Sequence, residues 1–398
     1  MRPRLLRQII IATLLKLLLN TGRRFIYPFA PAISRGLEVP LTAITSIIAT
    51  SQAASLLGLF SGPMADRIGY RFMMRAGLAT LALGMLVCGL VPTYWVVFCG
   101  LILASFGKTL FDPAIQAYIG QHVPYEKRGR IIGIIEISWA GSTLCGIPAL
   151  ALIIEHAGLP ASFWVMAILG FGGWLTLGRV FPKDSRTPDR PLAPGSMLSS
   201  LKGLLCNRAT AGMLLFGFWI SLANDCLFVT YGAWFETAFL VSIVTLGFST
   251  VAIGGAELLG ESITALLADK IGLKRTIIIS LTLAIFAYLF LPVIGRTLPL
   301  AMLGMFFIFF LFEIAMVTSF SLSTELLPEA RATMMAGFYA SAGIGRMLGV
   351  LAGGLLWQWG GIKSVAFSSA FFSIIGLGCL LWGLRGWTSR AADRLRNR

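Results

Sequence analysis

The sequence predicts an all-α polytopic membrane protein whose twelve transmembrane helices form two parallel six-helix repeats. Three observations predict it: apolar segments of spanning length, a lopsided distribution of basic residues, and a motif that recurs half a chain later. Of 398 residues, 57% are hydrophobic and 12% charged, with a mean hydropathy of +0.84; a soluble domain carries about 25% charged residues. An apolar helix of about 20 residues crosses the hydrocarbon of a bilayer. Such segments fall at 9–33, 41–64, 72–91, 95–121, 131–154, 162–181, 210–235, 244–268, 275–294, 299–323, 333–357 and 364–384, which leaves no stretch for a soluble catalytic domain.

The opening MRPRLLRQII has the basic start of a signal peptide. Lys16, Arg23 and Arg24 interrupt its apolar core and no small-x-small cleavage site follows, so the segment reads as span one. The net charge of +15 is unevenly placed. With residues in the end turns of a span counted to the nearer side, 24 Lys and Arg lie with the termini and even-numbered loops. Only 3 (Arg35, Arg296, Lys363) lie on the other side, and 5 (Lys16, Arg23, Arg24, Lys108, Arg346) lie inside spans. This is the positive-inside pattern and predicts that both termini are cytoplasmic, in the cell (inner) membrane. Basic residues there favour anionic lipid headgroups. Nucleic-acid binding needs an exposed basic surface with stacking aromatics on a soluble fold, and no such region exists in this sequence. Cys88, Cys99, Cys145, Cys206, Cys226 and Cys379 are scattered without a C-x-x-C pattern and read as reduced packing residues.

The repeat is the most informative pattern. Asp66-Arg67-Ile68-Gly69-x-Arg71 recurs as Asp269-Lys270-Ile271-Gly272-x-Lys274, an offset of 203 positions that also maps Arg128 onto Arg331, Gly146 onto Gly349 and Gly158 onto Gly361. One further residue of offset aligns Asn20 with Asn224, Tyr27 with Tyr231 and Pro124 with Pro328. Six spans per copy keep the copies in the same orientation, the arrangement of transporters whose halves share an axis along the membrane normal. The expected organisation is an N-terminal half over 1–181, a cytoplasmic linker over 182–208, a C-terminal half over 209–384 and a basic tail over 385–398. Within the linker, Met197 to Leu205 can form a short interfacial helix.

The loop Gly62 to Arg71, GPMADRIGYR, places an acid, bases and turn-forming glycines at the mouth of a span, where such contacts can form in one conformation and break in another. It resembles the signature loop of the major facilitator superfamily, G-x-x-x-D-R/K-x-G-x-R/K. The second copy, Asp269, Lys270, Gly272 and Lys274, lies where that family repeats it, with Ala265 in place of the first glycine. PYEKRGR after span four and PEAR after span ten resemble two further loops of the family, so the resemblance covers the whole chain. It implies a gating role for Gly62, Asp66, Arg67, Gly69, Arg71, Asp269, Lys270, Gly272 and Lys274. Of the drug:proton antiporter and sugar-nucleoside efflux branch, which it most resembles, span five keeps only part of the glycine-proline pattern, Gly141 to Pro148. No arginine stands in span four.

SFGKTLFDPA, Ser105 to Ala114, echoes a phosphate-binding loop, but Ile102 occupies the position of its first glycine and the flanks are membrane helix. No nucleotide or other cofactor is expected; a proton or solute gradient drives such a protein. What remains is Lys108 and Asp112, four apart on one helical face. They are either a fixed structural pair or, if separated during transport, a place where Asp112 can carry a proton. In span one, Asn20, Arg24, Tyr27 and Pro31 form a polar stripe. In the superfamily, spans one, four, seven and ten line the central cavity. The resemblance therefore gathers Asn20, Arg24, Tyr27, Lys108, Asp112, Asn224, Asp225, Tyr231 and Glu313 there, with Glu136 and Arg346 on spans at the interface between halves. Glu257 and Glu261 share a face of span eight and are not both readily ionised; one is protonated or pairs with Arg346 or a cytoplasmic base. His122 and His156 read as interfacial residues, while Trp139, Phe218, Trp219 and Trp234 can line an apolar pocket.

The expected function is secondary transport by alternating access: proton-coupled export of a small hydrophobic or amphipathic compound, with a sugar or nucleoside transporter as the alternative. The alternative of another class is a non-transporting membrane sensor or scaffold on a transporter fold. No nucleophile-base-acid set or metal-ligand cluster suggests an enzyme. The expected partners are a small-molecule substrate, protons and the lipid bilayer, with no nucleic acid, and the protein is expected to be a monomer.

Overall fold

The computed structural model describes residues 3–54, 61, 64–65, 68–123, 125–182, 204–327 and 331–387. Among them ten helices are long and apolar enough to cross a membrane, and no strand occurs. The last, Arg331–Gly383, holds the two predicted spans eleven and twelve, bent where Gly361 adopts φ 57°. The second predicted span is helical over Leu41–Ala54 and runs from there into residues outside the description. The remaining spans are Pro3–Arg24, Tyr70–Leu90, Tyr94–His122, Tyr125–Ala157 (with a π-helical turn over Ser142–Gly146), Leu159–Val180, Arg208–Phe239, Ile243–Ile271, Leu273–Ile294 and Leu298–Leu326. Twelve helices in two copies of six make this an all-α polytopic fold.

The first span departs from the sequence expectation of one helix over 9–33. Its helix stops at Arg24, residues 25–29 form turns, and a short helix Ala30–Gly36 follows. Pro28 has no N–H to continue the ladder, and Pro31 sits in the first turn of the short helix, where that lack costs nothing. Phe25 to Phe29 are all buried, as non-helical backbone at membrane depth requires.

The repeat seen in the sequence is also a repeat of backbone geometry. Gly69 and Gly272 precede spans three and nine with φ 109° and 95°, and Gly158 and Gly361 precede spans six and twelve with φ 80° and 57°. A side chain at any of them would strain the turn. Just beyond, Arg71 donates to the Gly178 carbonyl, and Lys274 Nζ donates to the Leu384 carbonyl at 2.8 Å. Each contact ties the third helix of a half to its sixth. Gly62, Asp66, Arg67 and the side chain of Asp269 lie outside the described residues, as do 183–203 of the linker, including most of its expected short helix, and 388–398 of the tail.

The two halves meet across spans one, two, five, seven, eight and eleven. Gly254 abuts Thr143 and Leu144, Gly247 abuts Ala151, Gly354 abuts Thr45, and Gly232 lies so close to the Pro28 carbonyl that a Cβ there would stand 2.4 Å away. Span seven is the most enclosed of the helices.

Candidate functional site

At the middle of this interface Arg24 of span one holds Glu257 of span eight through two hydrogen bonds, Nη2 to Oε1 at 2.6 Å and Nη1 to Oε2 at 3.2 Å. Both side chains are 4% exposed, so the pair is desolvated. Span five completes the site: Trp139 Nε1 donates to Glu257 Oε1 at 3.3 Å, Thr143 Oγ1 donates to Oε2 at 3.2 Å, and the Trp139 carbonyl accepts from Arg24 at 3.2 Å. The Trp139 ring lies 4.1 Å under the guanidinium. Thr143 sits in the π-helical turn, whose extra residue per turn brings its hydroxyl to the carboxylate. Arg24 and span five thus surround the Glu257 carboxyl with hydrogen-bond donors.

A second chain of polar groups crosses the interface beside it. Arg23 donates to Gln52, Gln52 donates to the Tyr27 hydroxyl, and Tyr27 donates to Asp225 Oδ1 of span seven at 3.0 Å. Arg346 of span eleven approaches Asp225 Oδ2 at 4.0 Å. Tyr27 also stacks on Phe228 at 4.5 Å. On the N-terminal half alone, Lys108 bonds Asp112 at 2.5 Å within span four, Lys16 bonds Glu136 at 2.6 Å, and Asn20 donates to Ser138 at 3.2 Å. Farther out, at the face opposite the basic loops, Arg35 makes a two-point contact with Glu236 at 2.6 and 2.8 Å. The cross-half hydrogen bonds thus run from Glu257 through Asp225 out to Glu236.

Two carboxylates are left over. Among the described residues, Glu313 of span ten and Glu261 of span eight make no hydrogen bond or ion pair, and Glu313 packs against Gly260, the residue before Glu261. Asn224, next to Asp225, and Tyr231, farther along span seven, are buried, each with a side-chain oxygen lacking a hydrogen-bond partner among the described residues.

The predicted polar stripe of span one thus faces packed protein: Asn20 meets span five, Arg24 spans five and eight, Tyr27 spans two and seven. Glu136 pairs with Lys16 of its own half, and Arg346 meets Asp225 while Arg24 holds Glu257. Of the four aromatics suggested for a pocket, Trp139 is in the site. Phe218 and Trp219 pack edge to face with Trp219 stacked on Phe372, and Trp234 packs on Phe235 and Phe239. Sequence reasoning did not single out Lys16 as a partner, nor Gln52, Ser138 or Thr143. Lys16, a base inside span one, and Gln52, an amide inside span two, are the signals the sequence offers.

Comparison with known proteins agrees with this architecture. The sequence model of the Major Facilitator Superfamily matches residues 12–256 and 213–396. An uncharacterized MFS-type transporter of Bacillus subtilis (strain 168), YceJ, is 25% identical over 307 residues, 76% of this chain and 77% of that protein. The multidrug resistance protein MdtH of Cronobacter sakazakii is 28% identical over 124 residues, 30% of this chain and 31% of MdtH. Among solved structures, a POT family transporter in complex with 5-aminolevulinic acid superposes with a TM-score of 0.80 at 15% identity, over 97% of both chains. A bacterial homolog of the human lysosomal transporter Spinster, inward-facing and unoccupied, gives 0.77 at 14% identity over 97% of this chain and 98% of that one.

Proposed function

Because the chain belongs to the major facilitator superfamily, a family of transporters and not of enzymes, we propose that it exports a small hydrophobic or amphipathic compound in exchange for protons. The halves alternate access to a site between them. The observation that carries this reading is the pair of unpartnered acids, Glu261 and Glu313, beside an interface held by Arg24 and Glu257. A carboxylate without donors inside a membrane is solvated best as the neutral acid. An ionised Glu313 would instead compete with Glu257 for Arg24, so gain and loss of one proton can bias the contact between halves. The MdtH match and the aromatic, mostly apolar interior support an amphipathic cargo. With the basic loops cytoplasmic, the cross-half bonds close the outer side of the site.

Proteoliposomes holding the purified chain and an internal pH dye test this, screened with pooled lipophilic cations, nucleosides and sugars under an imposed pH gradient. A compound-dependent proton flux is expected, abolished by Glu313→Gln. Labelled solutes that equilibrate with no proton movement would replace the reading with a uniporter; flux with nucleosides or sugars alone would favour the alternative cargo.

A further inference from the structure

The repeat supplies an internal control for the arginines at the basic-loop ends of spans three and six. Arg71 and Lys274 are equivalent, and both satisfy a carbonyl near the end of the sixth helix of their half, so that contact belongs to the fold. Arg75, one turn farther along span three, is different. At the position 203 residues on stands Ile278, and Leu377 stands where the N-terminal half has Trp174; both pack against the apolar core. The repeat therefore folds without a base or an indole here.

In the N-terminal half the Arg75 guanidinium carbon lies over the Trp174 ring, 4.0 Å from its centroid. Arg75 makes no hydrogen bond and no ion pair among the described residues, and its buried Nε has no acceptor. Gly178 leaves the room it occupies, since a Cβ there would stand 3.2 Å from that Nε. Exposed Arg179 is likewise unbonded. Below them a stripe of span six is open to the surroundings: Trp164 is 37% exposed, Ile168 66%, Phe171 56% and Leu175 37%. Phe171 stacks on Trp174 at 5.7 Å, joining the stripe to the arginine. At about 1.5 Å per residue the stripe runs roughly 16 Å, close to half of a hydrocarbon core of about 30 Å.

We propose that Arg75, Trp174 and Arg179 form a headgroup site for an anionic phospholipid of the cytoplasmic leaflet, with an acyl chain lying along Leu175, Phe171, Ile168 and Trp164. A guanidinium fixed on an indole presents its terminal N–H groups to a phosphodiester in a set plane. The net negative charge of the lipid offsets part of the charge of two arginines that no carboxylate among the described residues neutralises.

Native mass spectrometry of the purified full chain tests the site, with equimolar phosphatidylglycerol and phosphatidylcholine of matched acyl chains. Phosphatidylglycerol should be retained preferentially. Arg75→Ala and Arg179→Ala should each cut its retention about fivefold and leave phosphatidylcholine unchanged, while Arg296→Ala on the opposite face changes neither. Equal retention of the two lipids by the wild type, or preference undiminished in both variants, overturns the proposal. Displacement of the lipid by millimolar inorganic phosphate would make this a soluble-anion site and also overturn it. Should Arg75→Ala fail to fold, Arg179→Ala decides the matter, because its side chain is exposed.

Discussion

The two halves share a backbone plan and differ in the sign of the charge they bury. The N-terminal half carries the bases Lys16, Arg23, Arg24 and Lys108 against the acids Asp112 and Glu136; the C-terminal half carries Asp225, Glu257, Glu261 and Glu313 against Arg346. The two halves therefore carry opposite charge surpluses, and Arg24 with Glu257 joins them. The difference teaches what draws the halves together: one brings a surplus of basic residues to the interior and the other a surplus of acidic ones.

Breaking the central pair tests this most severely. Glu257→Ala leaves Arg24 buried without its counter-charge and should cost about 3–5 kcal/mol, read as a large fall in melting temperature or loss of the monodisperse peak in detergent. The double change Arg24→Met with Glu257→Leu should recover most of that loss, since apolar residues often replace a buried pair without penalty; failure to recover would mean that the bond does more than hold the halves. Asp225→Asn weakens the bond from Tyr27 and the approach of Arg346, with an expected cost of about 1.5–3 kcal/mol in the same melt. The smallest effect belongs to Arg35→Ala. Its contact with Glu236 is 59% exposed on the arginine side, so a cost of about 0.2–1 kcal/mol is expected, vanishing in high salt. A cost that persists in high salt would place that contact in a desolvated seam.

The sequence displayed what is local. Span positions follow from the run length of apolar residues, the Lys108–Asp112 pair from a four-residue spacing, and the turn glycines from a motif repeated in register. Arg24 and Glu257 were both visible as charges inside spans, but their partnership was not, because 233 residues separate them and no spacing rule reaches that far. Lys16 and Glu136 escaped for the same reason. The break after Arg24 is marked by Pro28 and Pro31, yet the predominantly apolar composition of 9–33 reads as a single span. The repeat placed Gly69 with Gly272 and Gly158 with Gly361, and their positive φ values bear this out.

The unwound turn of span one has a consequence for biogenesis. Its backbone and Arg24 are shielded by spans seven and eight, which the ribosome makes much later. At a synthesis rate of about 5–20 residues per second, Arg24 waits roughly ten to fifty seconds for Glu257. During that interval the nascent segment needs a temporary companion, water in the insertion channel or a membrane chaperone, or it stays outside the bilayer until its partner arrives.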